Sequence, residues 1–492
     1  MGTPLRGHEK IILLLVCIAF ITFASYSCQK TQPDQTNANL GAVASPTTQT
    51  LPPWPSGFPQ AMPSPVISGN IPRQVAFSGN PATPLDARPF FDNFSWESFI
   101  ALNWPASSAR GVPNNPNDQA IFFSAPNGTP VVWGTYKDSF DLFGQKDRPS
   151  AWNQPSTTSP CPGVSADQKT LIFTTKGDTP LMQTKEAFSF PLIDQRSNFV
   201  YFDIRYDEAQ YNFIRGKDED QTTWLYLLKN LAPVENKEFG VQMPMTTTSA
   251  LGSIMVKAAW RISTSSDDPK RYYAINAQIY NSQTQKCTPS TVLLVGLHIA
   301  HKVDPFTEWV WSTFEQIDNV PPDPDVSPKP SPPPNGYSFN NGTGTPPTPN
   351  GFNYKPALTA PGTPTPTPSP VQVTRVNAIP NTPAGQSTRD VNAFYQGLLK
   401  GTVWQYYQLV VTQWPGVPGI GPDKPYKLMQ KGGVYPQNAG AAFPSTGAVN
   451  TTMETYFQTQ NDAAGAGGNS CMSCHYRAGQ SDFSWGLNRR AH

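Results

Sequence analysis

Charge is scarce in this chain. Of 492 residues only 14% are charged, and 35 basic side chains stand against 34 acidic ones, a formal net charge of +1. That balance offers no basic stripe for the phosphates of a nucleic acid or for an anionic membrane surface, so any partner has to be recognised by local chemistry. Histidine and cysteine are rarer still, at five and six. Long apolar runs are missing as well: the most apolar stretch, Ile11 to Ile21, falls short of the roughly 20 residues that span a membrane. What is plentiful is proline (54 residues), glycine (36) and aromatic side chains (12%), a combination that predicts β-rich structure with long irregular connections. The length suits one large or two ordinary domains.

Two of the six cysteines sit in Cys471-Met472-Ser473-Cys474-His475. This is C-x-x-C-H, the attachment signature of c-type haem. Two thiols one helical turn apart can each add to a haem vinyl group, and the next residue aims an imidazole at the iron. Random placement of so few Cys and His would produce the pattern with a probability on the order of one in a thousand. Two other readings compete. Half of a zinc site would need a second ligand pair of suitable spacing, and the mature region offers only isolated Cys161 and Cys287. A thioredoxin-like pair would open a helix after a strand, whereas this motif follows the Gly/Ala tract Ala463 to Gly468, and a plain disulfide is weighed beside it. One covalent haem c is therefore expected, bound by Cys471 and Cys474, with His475 as proximal iron ligand.

The N-terminus bears on compartment. Arg6, His8 and Lys10 precede the apolar run, which ends in small residues, the layout of a secretory signal; an uncleaved anchor helix is the alternative. Ser25-Tyr26-Ser27-Cys28 resembles a bacterial lipoprotein cleavage site, although Ser25 stands where an aliphatic residue is usual. The expectation is an exported protein of the periplasm or cell envelope, held to the membrane by lipid on Cys28. With Cys17 lost in the signal, Cys161 and Cys287 remain as an even pair in an oxidising compartment, so a disulfide between them is expected, with two separate buried thiols as the alternative.

The chain divides by composition. Residues 1–28 read as the signal, 29–84 as a disordered tether, 85–320 as a β-rich body, 321–389 as a Pro-rich disordered insertion, and 390–492 as a C-terminal part that completes the body and carries the motif. The expected fold class is mainly β with a few short helices (α+β). Within it, Phe94 to Trp104 has the three-and-four spacing of a short buried helix. Ala120 to Phe123 and Val131 to Tyr136 flank a turn cluster and predict a hairpin. Strands are expected at Phe199 to Tyr206, Ser253 to Ile262, Tyr272 to Tyr280, Thr291 to Lys302, Glu308 to Gln316 and Thr402 to Trp414. Helices are expected at Gln221 to Leu231, Val391 to Lys400 and from Asn450, the last leading into the motif. Thr291 to Leu297 is nearly all apolar, which predicts a central strand covered on both faces.

The chain resembles a family of exported bacterial proteins described as cytochrome c family proteins. The resemblance is carried by Ser95-Trp96-Glu97-Ser98-Phe99-Ile100-Ala101-Leu102-Asn103-Trp104-Pro105, by Gly296 to Lys302, by Trp309 to Asn319, and by Asn450 through the C-x-x-C-H to Asp482-Phe483-Ser484. It implies covalent haem and export, and no settled substrate or reaction. In an ordinary small cytochrome c the motif lies early and a Met follows later; here no Met follows Cys474.

A second iron ligand would thus come from upstream, from His298, His301 or Met453. Residues three apart on a strand point to opposite faces, so at most one of the two histidines faces a given pocket. The expected function is electron transfer by an exported mono-haem cytochrome, with a redox partner protein or a small-molecule donor or acceptor. The alternatives are a haem oxidoreductase with an open iron position, for which the large β-rich body argues, and a haem-bearing sensor or binding protein. Lipidation is the first testable point. Mass spectrometry of the mature N-terminus should find Cys28 acylated and first in the chain; an unmodified peptide spanning Ser27-Cys28-Gln29 would refute it.

Overall fold

The computed structural model describes residues 53–59, 62–77, 83–144, 148–156, 160–161, 169–173, 183–184, 191–216, 242–282, 284–342, 370–415, 442–458, 470–475, 478 and 481–490. The readings of a signal, of Cys28 and of a helix at Gln221 to Leu231 fall outside the described residues, as does the run into the motif at 459–469. Among the described residues no helix is long and apolar enough to cross a membrane.

The fold is mainly β. Among the described residues its strands are β1 (Lys137–Asp138), β2 (Thr170–Phe173), β3 (Val200–Tyr206), β4 (Ile254–Ile262), β5 (Ala274–Asn281), β6 (Lys286–Val303), β7 (Phe306–Gln316), β8 (Tyr407–Pro415) and β9 (Ala442–Phe443). They pair in the order β1-β3-β4-β6-β7-β8-β9, with β5 on β6 and β2 on β5. Every pairing is antiparallel except β2 with β5. Strand β6 is the spine, since its first half pairs with β5 and its second half lies between β4 and β7. That is why Val292 to Leu297 is apolar on both faces and fully buried.

Among the described residues seven helices attend the sheet: α1 (Pro84–Leu102), α2 (Gln119–Ser124), α3 (Ser139–Phe143), α4 (Glu208–Arg215), α5 (Thr388–Leu398), α6 (Cys471–His475) and α7 (Trp485–Arg490). Helix α1 starts where local chemistry is strongest. Thr83 accepts from the Asp86 amide while the Asp86 carboxylate accepts from the Thr83 amide, and Pro84 fills the first position, which has no amide to satisfy. It packs across one face of the sheet. Trp96 meets Phe314 edge to face, and Phe99 stacks against Phe314, Phe94 against His301, and Phe91 against Trp414. A buried hydroxyl chain fastens this contact. Thr412 and Thr388 each donate to Asp92 at 2.7 Å, and Ser95 bridges Thr412 and Ser312 at 2.8 and 2.7 Å. The opposite face carries the C-terminal segment.

Several expectations need correction. The helix read at Phe94 begins ten residues earlier. The hairpin read over Ala120 to Tyr136 is absent: Asp118 caps α2, and Trp133–Thr135 is a 3-10 turn. The strand read from Thr402 begins only at β8, after a 3-10 turn at Val403–Tyr406. Over the described residues from Asn450 to Gln458 the chain forms a 3-10 turn at Thr455–Phe457 and no α-helix, because Thr451 is drawn to Glu315 and Thr452 turns back on Asn450. The tether is ordered over much of 53–77, where Ile67 and Val75 are buried and Trp54 stacks on Phe394 at 4.2 Å. The Pro-rich insertion is likewise docked at both ends. Phe339, Val371 and Val373 are buried, Val371 donates to the Ile193 carbonyl, and Arg375 is ion-paired with Glu315 and Asp323. Composition alone missed this because a few spaced apolar residues suffice to anchor a segment whose polar groups find partners on the sheet.

Cys161 and Cys287 are joined in a disulfide, Cα to Cα 5.8 Å, which ties the loop before β2 to the start of β6. Gly296 is the close-approach point between sheet and C-terminal segment: a Cβ there would meet Thr452 Oγ1 and lie 3.2 Å from Met453 Cε. Gly296→Ala should therefore cost about 1–3 kcal/mol in denaturant unfolding. Gly397→Ala, on α5 with open space around it, should be neutral or stabilising by about 0.5–1 kcal/mol.

Candidate functional site

The alternation of β6 and β7 sorts side chains between two neighbours. One face presents Trp311, Thr313 and Glu315, and the other presents Val310, Ser312 and Phe314. The C-terminal segment docks on the first face through a ladder of polar contacts. Asn450 donates to Thr313 Oγ1 (3.0 Å) and to the Phe314 carbonyl (2.8 Å), and Thr451 donates to Glu315 (2.7 Å). The Met472 amide donates to Gln413 of β8 at 2.7 Å, and Met472 itself is fully buried. Short helix α6 is thereby fixed to the sheet by its second residue.

On that helix His475 stands half-buried, its ring 4.3 Å from the Trp311 ring. Its Nδ1 lies 2.6 Å from the Phe483 carbonyl oxygen. A carbonyl oxygen only accepts, so Nδ1 carries the proton and Nε2 keeps a lone pair. Burial pushes the imidazole down to about 4, against the opposing pull of the Phe483 carbonyl and with Lys257 adding to the shift. Near neutral pH the ring is therefore uncharged, the form that ligates a metal.

The cysteines carry a matching signature. Neither Cys471 nor Cys474 is in a disulfide. Cys471 Sγ lies 3.3 Å from the Ala448 carbonyl, to which a thiol donates. Burial, with Glu454 adding to it, pushes the Cys471 thiol up. A redox-active Cys-x-x-Cys relies on a lowered thiol pKa, so this direction disfavours the thioredoxin-like reading.

The three upstream residues part company. His301 is 1% exposed on the face covered by α1, with its ring 5.5 Å from Phe94 and its Nε2 2.8 Å from Thr246 Oγ1. It stands on the wrong side of the sheet from His475, and its role is packing. Met453 is fully buried in a core with Ala259, Phe202 and Tyr456, its Cε against Gly296. His298 lies across the register from Lys257 and Thr313, on the face of the motif. Its Nε2 is 3.3 Å from Glu454 Oε2, an ion-pair distance whose angle does not make a hydrogen bond. Burial acts to raise the Glu454 carboxyl, and nearby His298 and Lys257 outweigh it and hold the group below the usual value. His298 is also close enough to act on His475 electrostatically.

Sequence reasoning missed the supports around this set. Asp482 accepts from the Met243 amide (2.7 Å) and from Trp309 Nε1 (3.3 Å) and is ion-paired with Lys302. Burial raises the Asp482 carboxyl, and Lys302 opposes that shift. A further cavity of about 520 Å³, lined by Phe122, Phe123, Tyr273, Trp404 and Tyr406 among others, includes none of the motif residues.

The donor set fits haem better than zinc. Zinc needs three or four protein ligands, and among the described residues no group of three His, Cys, Asp or Glu is arranged to hold a metal ion. Haem brings its own ring nitrogens and requires only the two thiols and an imidazole. No protein-family model matches the chain, and no curated protein and no solved structure is significantly similar to it.

The buried His301 predicts an acid-linked loss of stability. Burial alone lowers its imidazole from 6.5 to about 3. The folded state therefore binds its proton less readily than the unfolded state, and stability falls as pH drops from 6.5 towards 3. His301→Gln keeps a partner for Thr246 and removes the titration. Between pH 7 and pH 4.5 wild type should lose about 2–3 kcal/mol relative to that variant in urea unfolding; parallel pH profiles would contradict the assignment.

Proposed function

We propose that this chain is an exported c-type cytochrome that carries one haem and acts in electron transfer. Cys471 and Cys474 form the thioethers and His475 is the proximal ligand. The observation that carries the reading is the His475 arrangement: Nδ1 is committed to the Phe483 carbonyl, and Nε2 keeps its lone pair beside a turn that bears two reduced thiols. Each attachment is the addition of S–H across a vinyl double bond, with sulfur on one carbon and hydrogen on the other, so no electrons are exchanged. The protonated state of Cys471 suits it. Haem, when bound, supplies a one-electron couple.

The chain's own residues orient and shield. Trp311 packs on the His475 ring, Trp309 lies beside Trp311 at 6.4 Å between ring centres, and both indoles are buried, so water is kept from this side of the imidazole. The neutral imidazole is held by a backbone carbonyl rather than by a carboxylate, a weaker push of charge towards the metal. His298 would be the second residue to hold the iron, because it alone of the three upstream residues combines the right face with a side chain not locked into the core. Membrane attachment through Cys28 and a redox partner protein, or a small-molecule donor or acceptor, complete the proposal. The resemblance to exported cytochrome c family proteins rests on these same stretches of chain.

A second reading draws on the 3.3 Å approach of His298 to Glu454. An imidazole paired with a carboxylate on the open side of a haem is an acid–base couple, as an oxidoreductase acting on peroxide or a small substrate requires. The two readings separate in one set of spectra. Acidic acetone should leave haem on the polypeptide, Cys471→Ser should lower retention sharply, and Cys161→Ser should not; complete extraction of haem from wild type would sink both readings. The ferric spectrum should be low-spin and become high-spin in His298→Ala while remaining unchanged in His301→Ala. A wild type that is already high-spin favours the enzyme.

A further inference from the structure

Three residues other than glycine adopt left-handed backbone conformations at one spot beside His475: Trp309 (φ 70°), Asp482 (φ 52°) and Phe483 (φ 62°). Bulky side chains rarely accept that region, and it persists only where surrounding contacts over-determine it. Here the contacts can be named. The Asp482 carboxylate, 2% exposed, takes the Met243 amide and Trp309 Nε1, and it is ion-paired with Lys302, itself 2% exposed. Lys302 and Trp309 lie in the irregular stretch between the His301–Val310 and Val303–Phe306 pairs of β6 and β7, and Met243 approaches from the segment that pairs with Lys302 and Asp304 through Thr246. The very next residue after Asp482 supplies the carbonyl that holds His475.

We propose that Asp482 is a positioning residue for His475. Its buried carboxylate, gripped by Lys302, Trp309 and Met243, holds the 482–483 backbone in the left-handed turn that directs the Phe483 carbonyl at Nδ1. The imidazole is thereby confined to one tautomer, with Nε2 unprotonated, and tied to the β6–β7 end of the sheet rather than to its own short helix. A five-residue helix could not hold the ring by itself; its hydrogen bonds are too few. The purpose of this arrangement rests on the proposed ligation of iron by His475, whereas the tautomer can be read without any haem.

The test uses the full chain with ¹⁵N-labelled histidine, produced once without haem attachment and once with it. Without haem, near neutral pH, the ¹⁵N shifts of His475 should report a single tautomer protonated at Nδ1. Asp482→Ala should turn this into a mixture of tautomers. With haem attached, the same substitution should speed solvent exchange of the Nδ1 proton at least tenfold. Because Asp482→Ala leaves Lys302 buried and unpaired, Asp482→Ala with Lys302→Met is measured beside it; it removes both charges, and the same mixture and the same exchange are expected. A folded double variant that keeps the single Nδ1-protonated tautomer would overturn the positioning role. A chain that never couples haem yet shows the tautomer change would uphold it while removing the cytochrome reading.

Discussion

Successive side chains of a strand point to opposite faces, and that alternation along β6 and β7 governs everything else in this molecule. It lets one pair of strands serve two unrelated neighbours. Val310, Ser312 and Phe314 meet α1, while Trp311, Thr313 and Glu315 meet the C-terminal segment. His298 and His301, three apart, are sent to different faces by the same rule. A one-residue slip in register would exchange the two sets and present polar ladder residues to the aromatic face of α1. The polar ladders on both faces act as register pins, since each buried hydroxyl or amide that lost its partner would cost about 1–3 kcal/mol.

Several buried charges join separate segments of the chain. Glu315 is shared between Arg375 of the proline-rich insertion and Thr451 of the C-terminal segment, so one carboxylate joins sheet, insertion and motif-bearing lobe. Arg375 in turn meets Asp323, which Arg389 of α5 also holds. Such pairs give little net stability over an apolar replacement, but breaking one partner away leaves an uncompensated buried ion at about 3–5 kcal/mol. Their effect is to specify which segment lies where. The contacts of Glu315, Arg375 and Asp323 lie where sheet, insertion and C-terminal segment converge.

The strain beside His475 follows the same logic. Left-handed backbone at Trp309, Asp482 and Phe483 costs about 1–3 kcal/mol per residue, and it is offset by contacts that would not exist in a relaxed chain. In the proposed cytochrome those contacts hold an iron ligand still. A ligand fixed in orientation and protonation needs less rearrangement when the metal changes oxidation state, which suits a relay of electrons.

The sequence by itself determined the local features. The C-x-x-C-H spacing marks the candidate attachment site, the period of two marks β4, β5 and β7, the uninterrupted apolar stretch of β6 predicts its central place, and two otherwise unpaired cysteines lie in a disulfide. These are readable because they depend on neighbours a few residues apart, or on counting. Where propensity was weak and partners distant, reading failed. Ala120 to Phe123 is apolar enough for a strand yet forms a helix under the Asp118 cap, and Thr451 abandons a helix start for Glu315, which lies 136 residues away. The proline-rich flanks looked incapable of order because their anchors, such as Arg375 on Glu315, join positions that no local pattern connects. Only the tertiary structure decided that His298 rather than His301 shares a face with His475, and that Asp482 stands next to the Phe483 carbonyl that holds His475. Facing depends on which strands pair and in what register, and that is a property of contacts across the chain.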